Sequence, residues 1–316
     1  MYLADVDSRG QQRNCNELSH GLRGDYRRVM NHTRNAALAL GVNVTKQTRD
    51  TDVRDLIERL KPIDCGSDLI RIGGDADGGY LLPGDLDGIE YCFSPGVGSQ
   101  SEYESHLATL NIRSFLADYS IDFFPIHKPE FIFDKKFVGA SDTETSFTLE
   151  SWKNKYLPNY TGDLLLQMDI EGSEYEAIIA TPLHVLNDFR IMVVEFHFME
   201  KMFDPFVYGL YRACFEKILK NFHLVHIHPN NLCGSIRTND IEIPRMMEFT
   251  FYNKRRVSKT KHIDDFPHPL GRDNVSDHES LPLPKCWYES PESVRVASWS
   301  AEGLRLRSEA RFFSRN

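Results

Sequence analysis

Short apolar runs recur along the middle of the chain, and most of them break off at an acidic or otherwise polar residue. They predict strands over 90–93, 113–117, 136–138, 164–169, 192–196, 224–228 and 248–252. Between the earlier runs the apolar spacing lengthens to three and four, which predicts helices over 102–110, 149–155, 175–179 and 208–220. Strands alternating with helices imply an α/β architecture, a parallel sheet covered by helices on both faces. The last two strands differ, because a loop of roughly 20 residues without a helical pattern joins them; an antiparallel closing pair is expected there.

The flanks read differently. Residues 1–48 are rich in Arg, Asn, Gln and Thr, with one apolar patch at 36–40, and are expected to form a partly ordered arm with one helix. Thr51 and Asp52 open a second helix whose Val53, Leu56, Ile57 and Leu60 share a face, and Pro62 ends it. The glycine-dense stretch 71–82 reads as a hairpin entering the main domain. After Arg256 the chain turns polar and proline-rich. The expected organisation is an arm (1–48), a domain that includes the leading helix and hairpin (49–256), and an extension (257–316) packed on the domain or partly disordered.

With 316 residues and 41% hydrophobic positions the chain can bury a sizeable core. A net charge of -9 and a pI near 5.7 argue against general affinity for nucleic acid or for anionic membrane surfaces. No run approaches the roughly 18 apolar residues of a membrane span, and the first residues lack the basic and apolar regions of a secretion signal. Six scattered cysteines, without a Cys-x-x-Cys pair, read as free thiols. A cytoplasmic protein is expected, acting on a small-molecule or glycan acceptor, with a homodimer left open.

The chemistry gathers at strand ends. The run from Leu164 to Met168 stops at Asp169-Ile170-Glu171-Gly172-Ser173-Glu174, where Ser173 and Glu176 have the spacing of a capping box. A second run ends in Glu195-Phe196-His197, the histidine two positions on and so expected on the side of Glu195. His226 and His228 share a side of a later strand, closed by Pro229-Asn230-Asn231. Open α/β sheets bind ligands beyond the carboxyl ends of their strands, so these groups mark a candidate active site. Asp169, Glu195, His197 and His228 form a donor set suited to Mg²⁺, Mn²⁺ or Fe²⁺. The alternative is a loop-holding aspartate beside ordinary half-buried histidines.

The segment Phe93-Ser94-Pro95-Gly96-Val97-Gly98-Ser99-Gln100-Ser101-Glu102 joins a strand to a helix. Its glycines let the backbone approach a ligand, and the helix amino terminus offers free N–H groups. Position 101 is serine where a dinucleotide fingerprint wants a third glycine, and no Gly-Lys-Ser/Thr follows, which excludes a P-loop. Ser101 and Glu104 read as a capping pair rather than a ligand contact. Asp118 lies 22 residues past Gly96, near the offset at which an acid meets a ribose diol. Together these predict an adenosine-bearing cofactor. Arg71, Asp77 and Tyr80 are expected at the mouth of the site, with Glu171 and Asn231 as further acceptor contacts.

Together the glycine loop, Asp118, Gln167-Met168-Asp169-Ile170-Glu171-Gly172-Ser173-Glu174 and Val194-Glu195-Phe196-His197 resemble the FkbM-type family of S-adenosylmethionine-dependent methyltransferases. The stretch at 71–80 is also similar, and the resemblance spans roughly 68–254. It implies a class I, Rossmann-like methyltransferase sheet of seven strands with an antiparallel last strand, and methyl transfer to oxygen, commonly on a sugar hydroxyl. It further implies that Gly96 and Gly98 face the methionine end of the cofactor, Asp118 its ribose and Asp142 its adenine, with Ser94, Glu102 and Asp169 as further cofactor contacts. Asp169 and Glu195 then stand where metal-dependent O-methyltransferases of this fold carry ligands. One departure is plain: the family's Asp-x-Gly-Ala-x-x-Gly becomes Ser94-Pro95-Gly96-Val97-Gly98, with no acid before the first glycine.

A hydroxyl acceptor needs in-line positioning and a base or cation, for which Asp169, Glu195 and His197 are the expected catalytic residues. A nicotinamide-dependent oxidoreductase shares the glycine loop and Asp118. A non-catalytic binding module and a metal-dependent hydrolase are the other readings.

Overall fold

Residues 29–289, except 30, 43, 99, 100, 123, 125 and 127, are described by a computed structural model. Residues 1–47 and 48–316 form two units. In the first, a helix covers 31–39, and Arg34 Nε donates to the Val44 carbonyl; the rest of the predicted arm, 1–28, lies outside the described residues.

The second unit is built on one sheet of seven strands: β1 (Tyr91–Pro95), β2 (Arg113–Ala117), β3 (Phe131–Asp134), β4 (Leu164–Met168), β5 (Phe189–Phe196), β6 (Phe222–Pro229) and β7 (Met247–Asn253). Their order across the sheet is β3-β2-β1-β4-β5-β7-β6. β7 runs antiparallel to both neighbours, and the pairs among β1 to β5 are parallel. The closing antiparallel pair expected from the short connection is therefore present. A small ribbon, Ser235–Thr238 with Ile241–Pro244, occupies that connection.

Strand periodicity sorts the core into two. Leu164, Leu166, Met168, Met192, Val194 and Phe196 point to one face, and Leu165, Ile191 and Val193 to the other. Helices α1 (Asp50–Arg59), α3 (Leu149–Tyr156), α4 (Glu174–Ala180) and α5 (Pro205–Ile218) cover the first face. Trp152 of α3 is fully buried there, stacked on Phe147 and edge-on to Phe93; burying such a ring contributes about 3 kcal/mol. The second face takes α2 (Glu102–Thr109) and the antiparallel hairpin Leu69–Ile72 with Tyr80–Pro83. Local signals start two helices: Thr148 accepts from Ser151 N at α3, and Asp204, followed by Pro205, accepts from Phe206 N at α5.

Three expectations change. The third sheet strand is Phe131–Asp134, not 136–138; Phe137–Val138 pairs with Ser146–Phe147 in a separate two-strand ribbon. β3 is a half-buried edge strand, and its Phe131-Ile132-Phe133 run lies only a few residues before the similar short run at 137–138. Neither Ser101 nor Ser173 makes a side-chain cap; Glu104, the expected partner of Ser101, meets Ser94 instead. The extension to Glu289 packs on the domain: Lys261–His262 pairs with Ile63–Asp64, and buried Trp287 donates Nε1 to the Glu242 carbonyl.

Strand order, the single antiparallel strand and flanking helices make this a class I, Rossmann-like methyltransferase fold. The chain steps outward from β1 to β2 and β3, then returns to β4 on the other side of β1. That reversal opens a crevice at the carboxyl ends of β1 and β4. Among the described residues no helix is long and apolar enough to cross a membrane.

Candidate active site

The crevice begins where two strand ends touch. Gly96, just past β1, has φ +85°, and a Cβ there would lie 1.5 Å from the Asp169 carbonyl oxygen. Gly96 N donates to Ala117 O at 2.9 Å and Asp169 N to Pro95 O at 3.2 Å. Only glycine permits this approach, so the ends of β1, β2 and β4 are held together. The resulting cleft of about 280 Å³ is lined by Asp77, Tyr80, Gly96, Val97, Gly98, Ser101, Glu102, Tyr103, Glu104, Gln167 and Asp169, with Gly78 completing the wall. Four of these residues are acids, and none is Lys, Arg or His.

A network ties the floor of the cleft together. Ser94 Oγ has two oxygen neighbours, Glu104 Oε1 and, at 2.5 Å, Gln167 Oε1. One hydroxyl proton cannot serve both. With the Gln167 amide turned over, its NH₂ donates to Ser94, its carbonyl accepts from Tyr80 OH, and Ser94 donates to Glu104. Glu104 is thus turned inward instead of capping α2, and burial raises its pKa to about 7. Three polar atoms of the cleft, Ser101 Oγ, Tyr103 OH and Asp169 Oδ1, are buried without a partner among the described residues.

Beside Asp169 stands a compact acid–imidazole group. Glu174 Oε1 accepts from Ile170 N and Gly172 N and lies 3.1 Å from His197 Nδ1. The other imidazole nitrogen, Nε2, is 3.7 Å from Asp169 and 3.5 Å from Glu171. Gly172, at φ +105°, packs under the Phe198 ring, and Tyr175 OH donates to the His197 carbonyl at 2.9 Å. These contacts press the loops after β4 and β5 together. Burial works against the charged imidazole, but the Glu174 hydrogen bond and the carboxylates of Glu174, Asp169 and Glu171 outweigh it and raise the His197 pKa. Burial, ahead of the neighbouring acids, lifts Asp169 to about 7.

A second acidic row lies further along the same rim. Glu195, Glu248 and His228 are cross-strand neighbours on β5, β7 and β6. Glu195 Oε1 accepts from Asn230 Nδ2, and Glu195 Oε2 and His228 Nε2 are buried without partners. Asn274 of the extension donates to Glu248 Oε1 at 2.7 Å and to Asp77 Oδ1 at 3.3 Å. Burial raises the Glu195 pKa well above its usual range and that of Glu248 to about 8.

Measured against the sequence expectations, the rim gathers Asp77, Tyr80, Ser94, Gly96, Gly98, Glu102 and Asp169 at one cleft. The metal-ligand set is corrected. Asp169, Glu171 and His197 have ligand atoms within 4.8 Å of one another, whereas Glu195 and His228 belong to the separate row. His197 lies past the end of β5, before the left-handed Phe198 (φ 56°), so the two-residue alternation that put it beside Glu195 no longer applies. Asp118 accepts from Gly98 N and from Ser120, which fixes the glycine loop against β2. Exposed Asp142 accepts from Thr148 N and Ser151 Oγ, and is not part of the cleft. Arg71 staples the hairpin through the Gly74 and Ala76 carbonyls. Asn231 is spent on both backbone groups of Val275, anchoring the extension. Glu104 was read from the sequence as a helix cap, and Gln167, Glu174, Glu248 and Asn274 were given no role there; Gln167 and Glu174 carried a signal, as the first and last residues of the block that ends β4.

No protein-family profile and no curated protein matches the chain. Among solved structures it is similar to a fibrillarin/Nop5p complex (13% identity, 53% of this chain and 74% of that one, TM-score 0.32). It is also similar to a putative DNA modification methyltransferase encoded within an E. coli prophage (9%, 52% and 47%, TM-score 0.33). A third is Burkholderia thailandensis 1,6-didemethyltoxoflavin-N1-methyltransferase with bound 1,6-didemethyltoxoflavin and S-adenosylhomocysteine (11%, 78% and 93%, TM-score 0.24). Scores this low carry no weight; the fold rests on strand order and direction.

Proposed function

We propose that the chain is an S-adenosylmethionine-dependent methyltransferase acting on oxygen, with a hydroxyl of a sugar, glycan or small metabolite as acceptor. The supporting observation is the charge of the cleft: Asp77, Glu102, Glu104 and Asp169 line it and no basic residue does. A dinucleotide would bring two pyrophosphate charges into that field, whereas S-adenosylmethionine brings a sulfonium and an ammonium. The cleft volume of about 280 Å³ lies near the lower end of small-molecule pockets, and the methionine part is placed within it. The adenosine then runs outward over Val97 and Gly98 toward Asp118.

In the reaction a lone pair of the acceptor oxygen forms the new C–O bond as the S–CH₃ bond breaks, leaving a neutral thioether. His197 Nε2 takes the hydroxyl proton, and buried Glu174 orients the ring through Nδ1. Asp169, Glu195, Glu248 and Asn274 supply hydrogen-bond acceptors for a polyhydroxylated molecule along the rim. A second reading is favoured by the Asp169, Glu171 and His197 group, which fits a divalent ion in donor type and spacing. Such an ion would lower the pKa of the acceptor hydroxyl.

Calorimetric titration with S-adenosylmethionine and with NAD, each with and without Mg²⁺, tests the donor. Binding of the first and not the second is expected. With an acceptor in hand, His197→Gln is expected to keep donor binding and lose about 100-fold or more in turnover. Full turnover in both His197→Gln and Asp169→Asn would end the assignment.

A further inference from the structure

The acid missing before the first glycine is replaced in space. Ser94 stands at that strand position, fully buried, and the Glu104 carboxylate meets its hydroxyl from the first turn of α2. Among the described residues no other side chain bonds that carboxylate, and Glu104 forms part of the cleft wall. Two further polar groups beside it, Ser101 Oγ and Tyr103 OH, are buried and unpartnered, in residues only 3% and 2% exposed. Burying a carboxylate on a single neutral hydroxyl is unfavourable unless a cation completes it. The nearest features of the wall offer no such cation, since its other charged members, Asp77, Glu102 and Asp169, are acids.

We infer that Glu104, oriented by Ser94, is the residue that holds the ammonium group of the donor's amino-acid end, with Ser101 Oγ beside it for the adjoining carboxylate. This rests on the donor reading above. An ammonium has three donors and no acceptor, which matches a carboxylate whose remaining lone pairs face the cleft. The same helix would then supply both contacts: its amino terminus favours the donor carboxylate, and the glutamate of its first turn pairs with the ammonium. The role belongs to Glu104 as a binding residue, remote from the transferred methyl group.

Two stable probes separate the parts of the ligand. S-adenosylhomocysteine keeps the amino-acid end, and methylthioadenosine lacks it. Glu104→Gln is expected to weaken S-adenosylhomocysteine roughly 10- to 100-fold, the loss of a charged hydrogen bond, and to leave methylthioadenosine within about twofold. Unchanged methylthioadenosine binding also certifies the fold of the variant. Ser94→Ala, which keeps the carboxylate but frees it to swing, is expected to give a smaller loss of the same selectivity. Moving the acid back to the strand, Ser94→Asp with Glu104→Ser, is expected to recover most of the lost affinity. If wild type binds neither probe, the donor reading falls and takes this one with it. If wild type binds S-adenosylhomocysteine and Glu104→Gln binds it equally well, or weakens both probes alike, the ammonium assignment alone is overturned.

Discussion

The two ends of the sheet carry the same residue types and treat them in opposite ways. Where β4 and β5 begin, buried Arg190 donates Nε to Asp163 at 2.8 Å and Nη1 to the Asp85 and Asp87 carbonyls. Asp85 also receives a two-pronged contact from Arg256, each prong 2.8 Å, and the Tyr252 hydroxyl. The Arg256 hydrogen bonds hold the Asp85 pKa below the usual carboxylate range. At the opposite end, Glu104, Asp169, Glu195 and Glu248 are all pushed above it, chiefly by burial. Paired acids there stabilise the fold. Acids left without guanidinium or ammonium partners destabilise it and are arranged for something that arrives later.

Removing a partner at the paired end is expected to have the largest effect. Arg190→Met removes a buried guanidinium shared by Asp163 and the Asp85 and Asp87 carbonyls and should cost about 3 kcal/mol in urea unfolding. Binding of S-adenosylhomocysteine per folded molecule should not change; a loss would mean that the two ends are coupled.

At the unpaired end the sign reverses. The folded Glu104 pKa of about 7 exceeds its ordinary value of 4.5, so the unfolded chain releases this proton first. Its contribution to stability is complete below pH 4.5, falls as pH rises, and is spent above pH 7. Glu104→Gln cannot titrate, so it is expected to match wild type at pH 4 and exceed it at pH 8 by up to about 3 kcal/mol. Identical pH profiles for the two proteins would show that this acid is not held unmatched.

A smaller effect is expected from Asn274→Ala, which removes the donor shared by Glu248 and Asp77. A cost of about 1–2 kcal/mol should appear as faster hydrogen exchange over residues 263–289, with α3 to α5 unaffected.

Much of the scaffold was legible because period and punctuation are local properties. The fully buried runs of β4 and β5, the glycine turn at 96–98 and the short link before β7 each announced themselves. β3 was misplaced, since two short apolar runs, Phe131-Ile132-Phe133 and Phe137-Val138, lie close together and only pairing with β2 tells them apart. The acids at the ends of β4 and β5 marked the rim, but their grouping was misjudged. Whether His197 joins Glu195 or Asp169 depends on how the chain leaves β5, whose last strand residue is Phe196. Glu104 was set aside as a helix cap because its spacing from Ser101 fits one. Its bond to Ser94 joins residues from different elements across the crevice.

Sequence alone determined the α/β class, the antiparallel closing strand and the rim on which the chemistry sits. Each follows from side-chain periodicity and from glycine or proline limits on the backbone, which act within a few residues. Only the tertiary structure decided which acids meet an arginine and which line the cleft. That choice is made by strand order and by the Gly96–Asp169 approach, which bring together groups far apart in the chain. The energy of a buried carboxylate depends on those neighbours rather than on its own segment.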